Sequence, residues 1–258
     1  METAPSPSLW LRLANPAAFN ALANRLLWPL VIATIVAFAY GLYGAFLTSP
    51  ADYQQGETVR IMYIHVPAAW LSLFVYAGMS VSALGTLVFR HPMADVAQKA
   101  AAPLGAGFTL ICLLTGSFWG KPMWGTWWEW DARLTSVLIL FLIYLGIIAL
   151  WRAIDEPQRG ARAVAILTLV GAVNLPIIKF SVDWWNTLHQ PASVFRMGGP
   201  TIDRAMLTPL FVMGIAYLLL YLVLLIIRMK TELTLRRIER LQIVAADRQA
   251  RATEAKHG

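Results

Sequence analysis

The chain has 258 residues, of which 58% are hydrophobic and 14% are charged, and its formal net charge is +7. This composition excludes an ordinary soluble domain, and the apolar runs are long enough to indicate a polytopic membrane protein. The positive charge does not indicate a nucleic-acid partner, because the basic residues lie mainly in connections on one side and in the C-terminal tail. The single cysteine, Cys112, lies in an apolar run and excludes a disulfide framework.

Six apolar runs predict an all-α fold with six transmembrane helices. They cover residues 26–47, 66–89, 100–119, 134–151, 163–180 and 205–227. Each is near the length of about 20 residues that a helix needs to cross the hydrocarbon layer, and lipid offers the backbone no other partner. No small-residue cleavage site follows the first run, so no removable signal peptide is expected. An even number of spans places both ends of the chain on the same side.

The predicted organisation is a membrane domain, residues 1–228, followed by a charged tail, residues 229–258. Apolar residues recur among the charges of the tail, a pattern typical of an amphipathic helix. The basic residues of the tail, together with Arg12 and Arg25, favour a cytoplasmic location for both ends. The cytoplasmic connections contain no glycine-rich phosphate-binding loop, so we expect no nucleotide hydrolysis and no enzyme in this chain.

The connection between the third and fourth spans, residues 119–133, is the Trp-rich segment. Five tryptophans fall within residues 119–131, and Gly120, Pro122 and Gly125 are expected to interrupt a helix there. A single tryptophan is often a membrane-interface anchor. The cluster, however, also offers broad flat faces to an aromatic ligand, and both interpretations stay open. A helical course over 124–131 would align four side chains on one face: Trp124, Trp127, Trp128 and Asp131.

Two histidines are candidate metal ligands on the same side as the Trp-rich segment. His65 lies directly before the second span, with Pro67 suited to a first helical turn. His189 follows the fifth span in a second aromatic patch, residues 179–191, where a helix would align it with Val182 and Trp185. Two imidazoles on opposite sides of a planar macrocycle are a recurring way to hold haem iron. A lone histidine at a membrane boundary is more often a surface hydrogen-bonding group than a ligand, and this alternative stays open; two histidines beside an aromatic cluster favour the ligand role.

Basic residues in the outer connections suit the two propionates of haem. They are Arg60, Lys121, Arg133, Arg196 and Arg204. Two structural alternatives stay open. Glu129 has the spacing to pair with Arg133 along a helix, and Asp131 has the position to cap the fourth span.

The run WGTWWEWDARLTS, residues 124–136, resembles the WWD signature of the haem-handling membrane proteins of cytochrome c biogenesis. With six spans, this length and two outer histidines, the chain is similar to the cytochrome c maturation protein C (CcmC, haem exporter protein C) family. The resemblance implies that His65 and His189 are the axial ligands of a transient haem b cargo. It also implies functional roles for Arg60 and Arg133, and a haem-contacting motif of Trp124, Trp127, Trp128, Trp130 and Asp131.

The same resemblance implies where the protein works and with which partners. It implies delivery of haem at the periplasmic face of the bacterial inner membrane to the membrane-anchored haem chaperone CcmE. The further partners implied are the ATP-binding-cassette subunits CcmA and CcmB, the single-span protein CcmD and membrane lipid. Two alternatives are a haem-b membrane oxidoreductase and a true transmembrane haem transporter. The first is disfavoured because no histidine lies in the middle of a span.

Overall fold

The structure, a computed structural model, describes residues 14–191 and 193–257. Over these residues the chain is built from α-helices and the connections between them. In chain order the helices are α1 (Pro16–Tyr43), α2 (Met62–Leu87), α3 (Ala94–Trp124), α4 (Ala132–Ala153), α5 (Pro157–Gly171), α6 (Asn174–Trp184) and α7 (Arg204–His257). A π-helical turn, Gly44–Thr48, extends α1, and a 3-10 turn, Glu57–Ile61, leads into α2.

Six helical segments of the described chain are long and apolar enough to cross a membrane, which confirms the predicted all-α, six-span fold. The fifth span consists of α5 and α6, which are separated at residues 172–173. The first span begins at Pro16, earlier than predicted. Asn15 caps this helix, since its side chain accepts a hydrogen bond from Ala17 N at 2.8 Å, and proline suits the first helical position.

The third span is longer than predicted at both ends, and α3 continues through Gly120 and Pro122 to Trp124. The prediction that these two residues interrupt the helix was wrong. Pro122 removes only one backbone hydrogen bond, close to the end of the helix. The helix ends at Gly125, whose φ of 77° lies in the left-handed region that glycine adopts readily.

Helices α2 and α3 form the centre of the bundle. Helices α4, α5 and α7 pack around them, and α1 lies against α7. The side chains of Tyr76 and Tyr144 are fully buried, and their hydroxyls are satisfied within the bundle. Tyr144 donates to the Ser72 carbonyl at 2.8 Å and Tyr76 to the Thr168 carbonyl at 3.1 Å. These two buried hydroxyls therefore join neighbouring helices.

Charged contacts define one end of the bundle. Lys99 at the start of α3 donates to Glu232 at 2.8 Å, and Arg236 bridges Glu232 and Asp95. Lys230 reaches Asn24 near the start of α1 at 2.6 Å. The start of the tail and the start of α1 thus lie together, as an even number of spans requires. Helix α7 continues without a break from the membrane span into this tail.

Candidate functional site

His65 and His189 lie next to each other at the opposite end of the bundle. Their ring centroids are 6.4 Å apart, and the ring planes are inclined by 34°. Two imidazoles on one metal ion, with metal–nitrogen bonds of roughly 2 Å, have centroids about 6 Å apart. The separation of the two rings therefore fits a single metal ion between them.

His65 lies in the first turn of α2, not directly before the helix, because α2 begins at Met62. Its Nδ1 atom is 3.0 Å from the Cys112 carbonyl oxygen and 3.1 Å from Thr115 Oγ1. A carbonyl only accepts hydrogen bonds, so Nδ1 carries the proton. The lone pair is then on Nε2, which is the arrangement that a metal-ligating histidine needs.

Helix α3 supplies the surface on which the His65 ring lies. A Cβ atom at Gly116 would be only 3.1 Å from His65 Cε1, so glycine permits a close approach of ring and helix that a side chain there would disturb. Cys112, Thr115 and Gly116 were not predicted as site residues. Their spacing places them on one helical face, but the sequence does not indicate that this face meets His65.

His189 lies in the non-helical segment between α6 and α7. Its Nδ1 is 3.0 Å from the carbonyl oxygen of Gln190, and its backbone N–H donates to Thr187 Oγ1 at 3.2 Å. This contact again leaves the lone pair on Nε2. Burial lowers the pKa of His189 below its ordinary value, against an opposite effect of the Gln190 carbonyl. Because α6 ends at Trp184, the helix that would align His189 with Val182 is not formed.

The Trp-rich segment leaves the helix after Trp124, so its side chains do not share a helical face. They form edge-to-face pairs instead. Trp119 and Trp124 have ring centroids 5.0 Å apart, and Trp128 and Trp130 have centroids 5.5 Å apart. Trp127 and Trp130 keep 54% and 73% of their surface exposed. The segment therefore presents large aromatic faces outside the bundle core.

Two polar atoms of this segment are buried without a hydrogen-bond partner in the described part of the chain: Trp128 Nε1 and Asp131 Oδ2. The other carboxylate oxygen, Asp131 Oδ1, accepts from Leu134 N at 2.7 Å, which confirms that Asp131 caps α4. An unpaired buried polar group costs about 1–3 kcal/mol. A ligand that meets this donor and this acceptor would remove that cost.

The two predicted arginines have different surroundings. Arg133 donates from Nε to Ser181 Oγ at 2.9 Å and from Nη2 to the Lys179 carbonyl at 3.2 Å, which joins α4 to α6. It forms no ion pair with Glu129, although both residues are described; Glu129 lies before α4 begins. Arg60 instead contacts Glu57 and the Ala45 carbonyl, near the end of α1. Its hydrogen bonds are not directed at either histidine.

The two imidazoles of His65 and His189 favour a metal whose other ligands come from outside the protein. No group of three or more His, Cys, Asp or Glu side chains that could hold a bare metal ion occurs in residues 14–191 and 193–257. A paired imidazole site suits a metal whose equatorial positions are already filled, as in a metalloporphyrin. Fold and site together define a multi-pass membrane protein with two neighbouring imidazoles at one end of its helical bundle.

Comparison with known proteins gives the family. The family model described as CcmC, heme exporter protein C, matches residues 9–244, and the chain belongs to this family. The heme exporter protein C of Bradyrhizobium diazoefficiens is 64% identical over 242 residues, which cover 94% of this chain and 92% of the relative. That of Escherichia coli K12 is 49% identical, covering 85% and 88%. A putative cytochrome c biosynthesis ccmC-like mitochondrial protein of Marchantia polymorpha is 50% identical, covering 70% and 77%.

Proposed function

We propose that this chain binds haem between His65 and His189 and delivers it to a haem chaperone during cytochrome c biogenesis. The observation that carries the proposal is the pair of neighbouring imidazoles, whose ring centroids are 6.4 Å apart and whose Nδ1 atoms each contact a carbonyl oxygen. The names of the two bacterial relatives, both heme exporter protein C, support haem as the cargo. The cargo is haem b, held transiently by two axial histidines, and the chain is a delivery component with no catalytic step of its own.

The Trp-rich segment forms the platform for the porphyrin. Trp127 and Trp130 are exposed enough to lie against a flat macrocycle. The unpaired Nε1 of Trp128 and Oδ2 of Asp131 support a polar contact at its edge. Trp124 completes the aromatic set through its contact with Trp119.

The arginines serve the anionic propionates. Arg133 is the stronger candidate, because its Nη1 makes no hydrogen bond to any described residue while Nε and Nη2 fix the guanidinium in place. Arg60 first has to leave Glu57 and the Ala45 carbonyl. Removal of Arg133 is therefore expected to weaken haem retention more than removal of Arg60.

The protein lies in the inner membrane of a bacterium. Its haem site faces the periplasm, and both ends of the chain face the cytoplasm. Two observations support this orientation: the start of α1 lies beside the tail through Asn24 and Lys230, and the tail is rich in basic residues. The acceptor of the haem is CcmE, and CcmA, CcmB and CcmD are the other partners. Lipid contacts the exposed apolar side chains of α1, such as Trp28 and Ile32.

The position of the site supports delivery more than electron transfer. His65 lies one turn into α2 and His189 in a connection, so a haem held between them is near the end of the bundle. A quinone-linked oxidoreductase is expected to hold haems within its helices. Two axial histidines also block the approach of oxygen to the iron while one edge of the porphyrin stays accessible.

The absorption spectrum of the purified, haem-loaded protein tests this proposal. The wild type is expected to show the Soret band of low-spin, bis-histidine haem. His65→Ala and His189→Ala are each expected to lose it, while His91→Ala is the matched control because His91 follows the other end of α2. An unchanged band in both site variants contradicts the ligand assignment. Addition of purified CcmE to the wild-type protein then measures the transfer of haem.

A further inference from the structure

The two histidines are held in very different ways, and we propose that this difference sets the order in which they release haem. His189 dissociates first, and His65 stays bound to the iron until the cargo leaves. Thr115 is the positioning residue that makes His65 the retained ligand. This inference rests on the proposed function and adds the direction of the handover.

His65 is fixed from a neighbouring helix. Its Nδ1–H meets both the Cys112 carbonyl and Thr115 Oγ1 of α3. The hydroxyl of Thr115 donates to the Ile111 carbonyl at 2.6 Å, so its oxygen lone pair is directed at the imidazole. Gly116 lies against the ring edge. A ring held by two acceptors on a rigid element is a more basic and better oriented ligand.

Among the described residues, the hydrogen bonds of His189 are to its near neighbours in the chain. Its ring bonds to the carbonyl of Gln190, the next residue, and its backbone bonds to Thr187. These hydrogen bonds stay within the segment, so they do not join the imidazole to another helix. A ligand of this kind leaves the iron through a small local change of the backbone.

The segment that carries His189 lies between the end of α6 and a contact with α2. On one side α6 ends at Trp184, whose ring stacks on Phe180 of the same helix with ring centroids 5.3 Å apart. On the other side Phe195 contacts Trp70 of α2, again at 5.3 Å. His189 itself lies outside both flanking helices, so its withdrawal from the iron requires no unfolding of α6 or α7.

The step is a ligand exchange without a change of oxidation state. The bond between iron and His189 Nε2 breaks, and the lone pair stays on the imidazole. An incoming axial donor from the acceptor protein occupies the vacated position, and the His65 bond breaks afterwards. Cyanide is a suitable probe for the first step, because it binds ferric iron only after one histidine has left.

Stopped-flow mixing of the haem-loaded, full-length protein with excess cyanide measures this first dissociation as a limiting rate. Thr187→Val removes the local bond beside His189 and is expected to raise this rate about fivefold. Thr115→Val is expected to change it by less than about twofold, because the retained ligand does not limit the step. Both substitutions preserve side-chain shape, so each is the control for the other.

Transfer of haem to excess apomyoglobin measures the second dissociation. Thr115→Val is expected to accelerate complete haem loss about tenfold, as for other hydrogen-bond partners of metal ligands. Thr115→Ser keeps the hydroxyl and is expected to restore the wild-type rate, which a purely structural role of Thr115 does not predict.

The outcomes separate this inference from the proposed function. A limiting rate of cyanide binding that rises with Thr115→Val but not with Thr187→Val overturns the proposed order of release. Equal increases of this rate in the two variants show that the two histidines are equivalent ligands, and this result also overturns the order. Absence of a low-spin spectrum in the wild type refutes the ligand assignment itself, whatever the two variants do.

Discussion

Gly116 gives a sharp test of the site, because a single methyl group there meets the His65 ring. A Cβ atom at this position would lie 3.1 Å from Cε1 and 3.6 Å from Nδ1 of His65. The ring has to move by a few tenths of an ångström to restore a normal contact, and a ligating group needs placement within about 0.5 Å. Gly116→Ala is therefore expected to weaken haem retention about tenfold, the lower end of the effects found when the support of a metal ligand is changed.

Gly107→Ala is the matched control on the same helix. Nothing lies within 4 Å of a Cβ atom at residue 107. Both substitutions gain about 1 kcal/mol of helix propensity over glycine, so the difference between them reports the contact with His65. Haem transfer to apomyoglobin and the low-spin Soret amplitude measure the site, and thermal unfolding without haem measures the fold.

The expected result is faster haem loss in Gly116→Ala alone, with no loss of thermal stability relative to Gly107→Ala. Equal haem retention in the two variants refutes the close contact between α3 and the His65 ring.

Three further predictions concern the rest of the molecule. The double variant with Trp127→Ala and Trp128→Ala is expected to retain haem less well and to load the chaperone less well, while its membrane insertion stays normal. The expected loss is about 0.5–1.5 kcal/mol per ring beyond the loss of buried area. Loading equal to that of the wild type would show that these rings act only as membrane anchors. Burial lowers the pKa of His189, so a proton competes poorly with iron for its Nε2 atom. The low-spin band is therefore expected to stay complete as the pH falls to about 6.5, the ordinary pKa of histidine. It is expected to disappear only below that pH. A spectral titration with its midpoint at or above that value contradicts this prediction. Glu232→Gln is expected to weaken the contacts of Glu232 with Lys99 and Arg236 by about 1–3 kcal/mol. Amide hydrogen exchange at the start of the tail is then expected to become faster. Glu239→Gln is the control, because Glu239 is exposed, and it is expected to leave the exchange rate unchanged.

Local sequence signals predicted some element ends and missed others. Asp131 before an apolar run is an N-cap signal, and α4 does begin at Ala132. Gly120 and Pro122 gave a strong signal for a helix end, yet α3 passes both, because one missing backbone bond near a terminus is tolerated. The interruption between α5 and α6 was not predicted. There Asn174 donates to the Ser136 carbonyl of α4 at 2.8 Å, a contact with a distant part of the chain.

The sequence by itself determined the number of spans, the aromatic character of the connection after the third span and the two histidines on one side. These features follow from composition and parity, because lipid forces each long apolar run into a helix. Only the tertiary structure decided that the His65 ring meets Cys112, Thr115 and Gly116, and that Arg133 is directed to α6. The physical reason is that hydropathy defines which segments are buried in the membrane, whereas the faces that meet depend on side-chain packing between segments far apart in the chain.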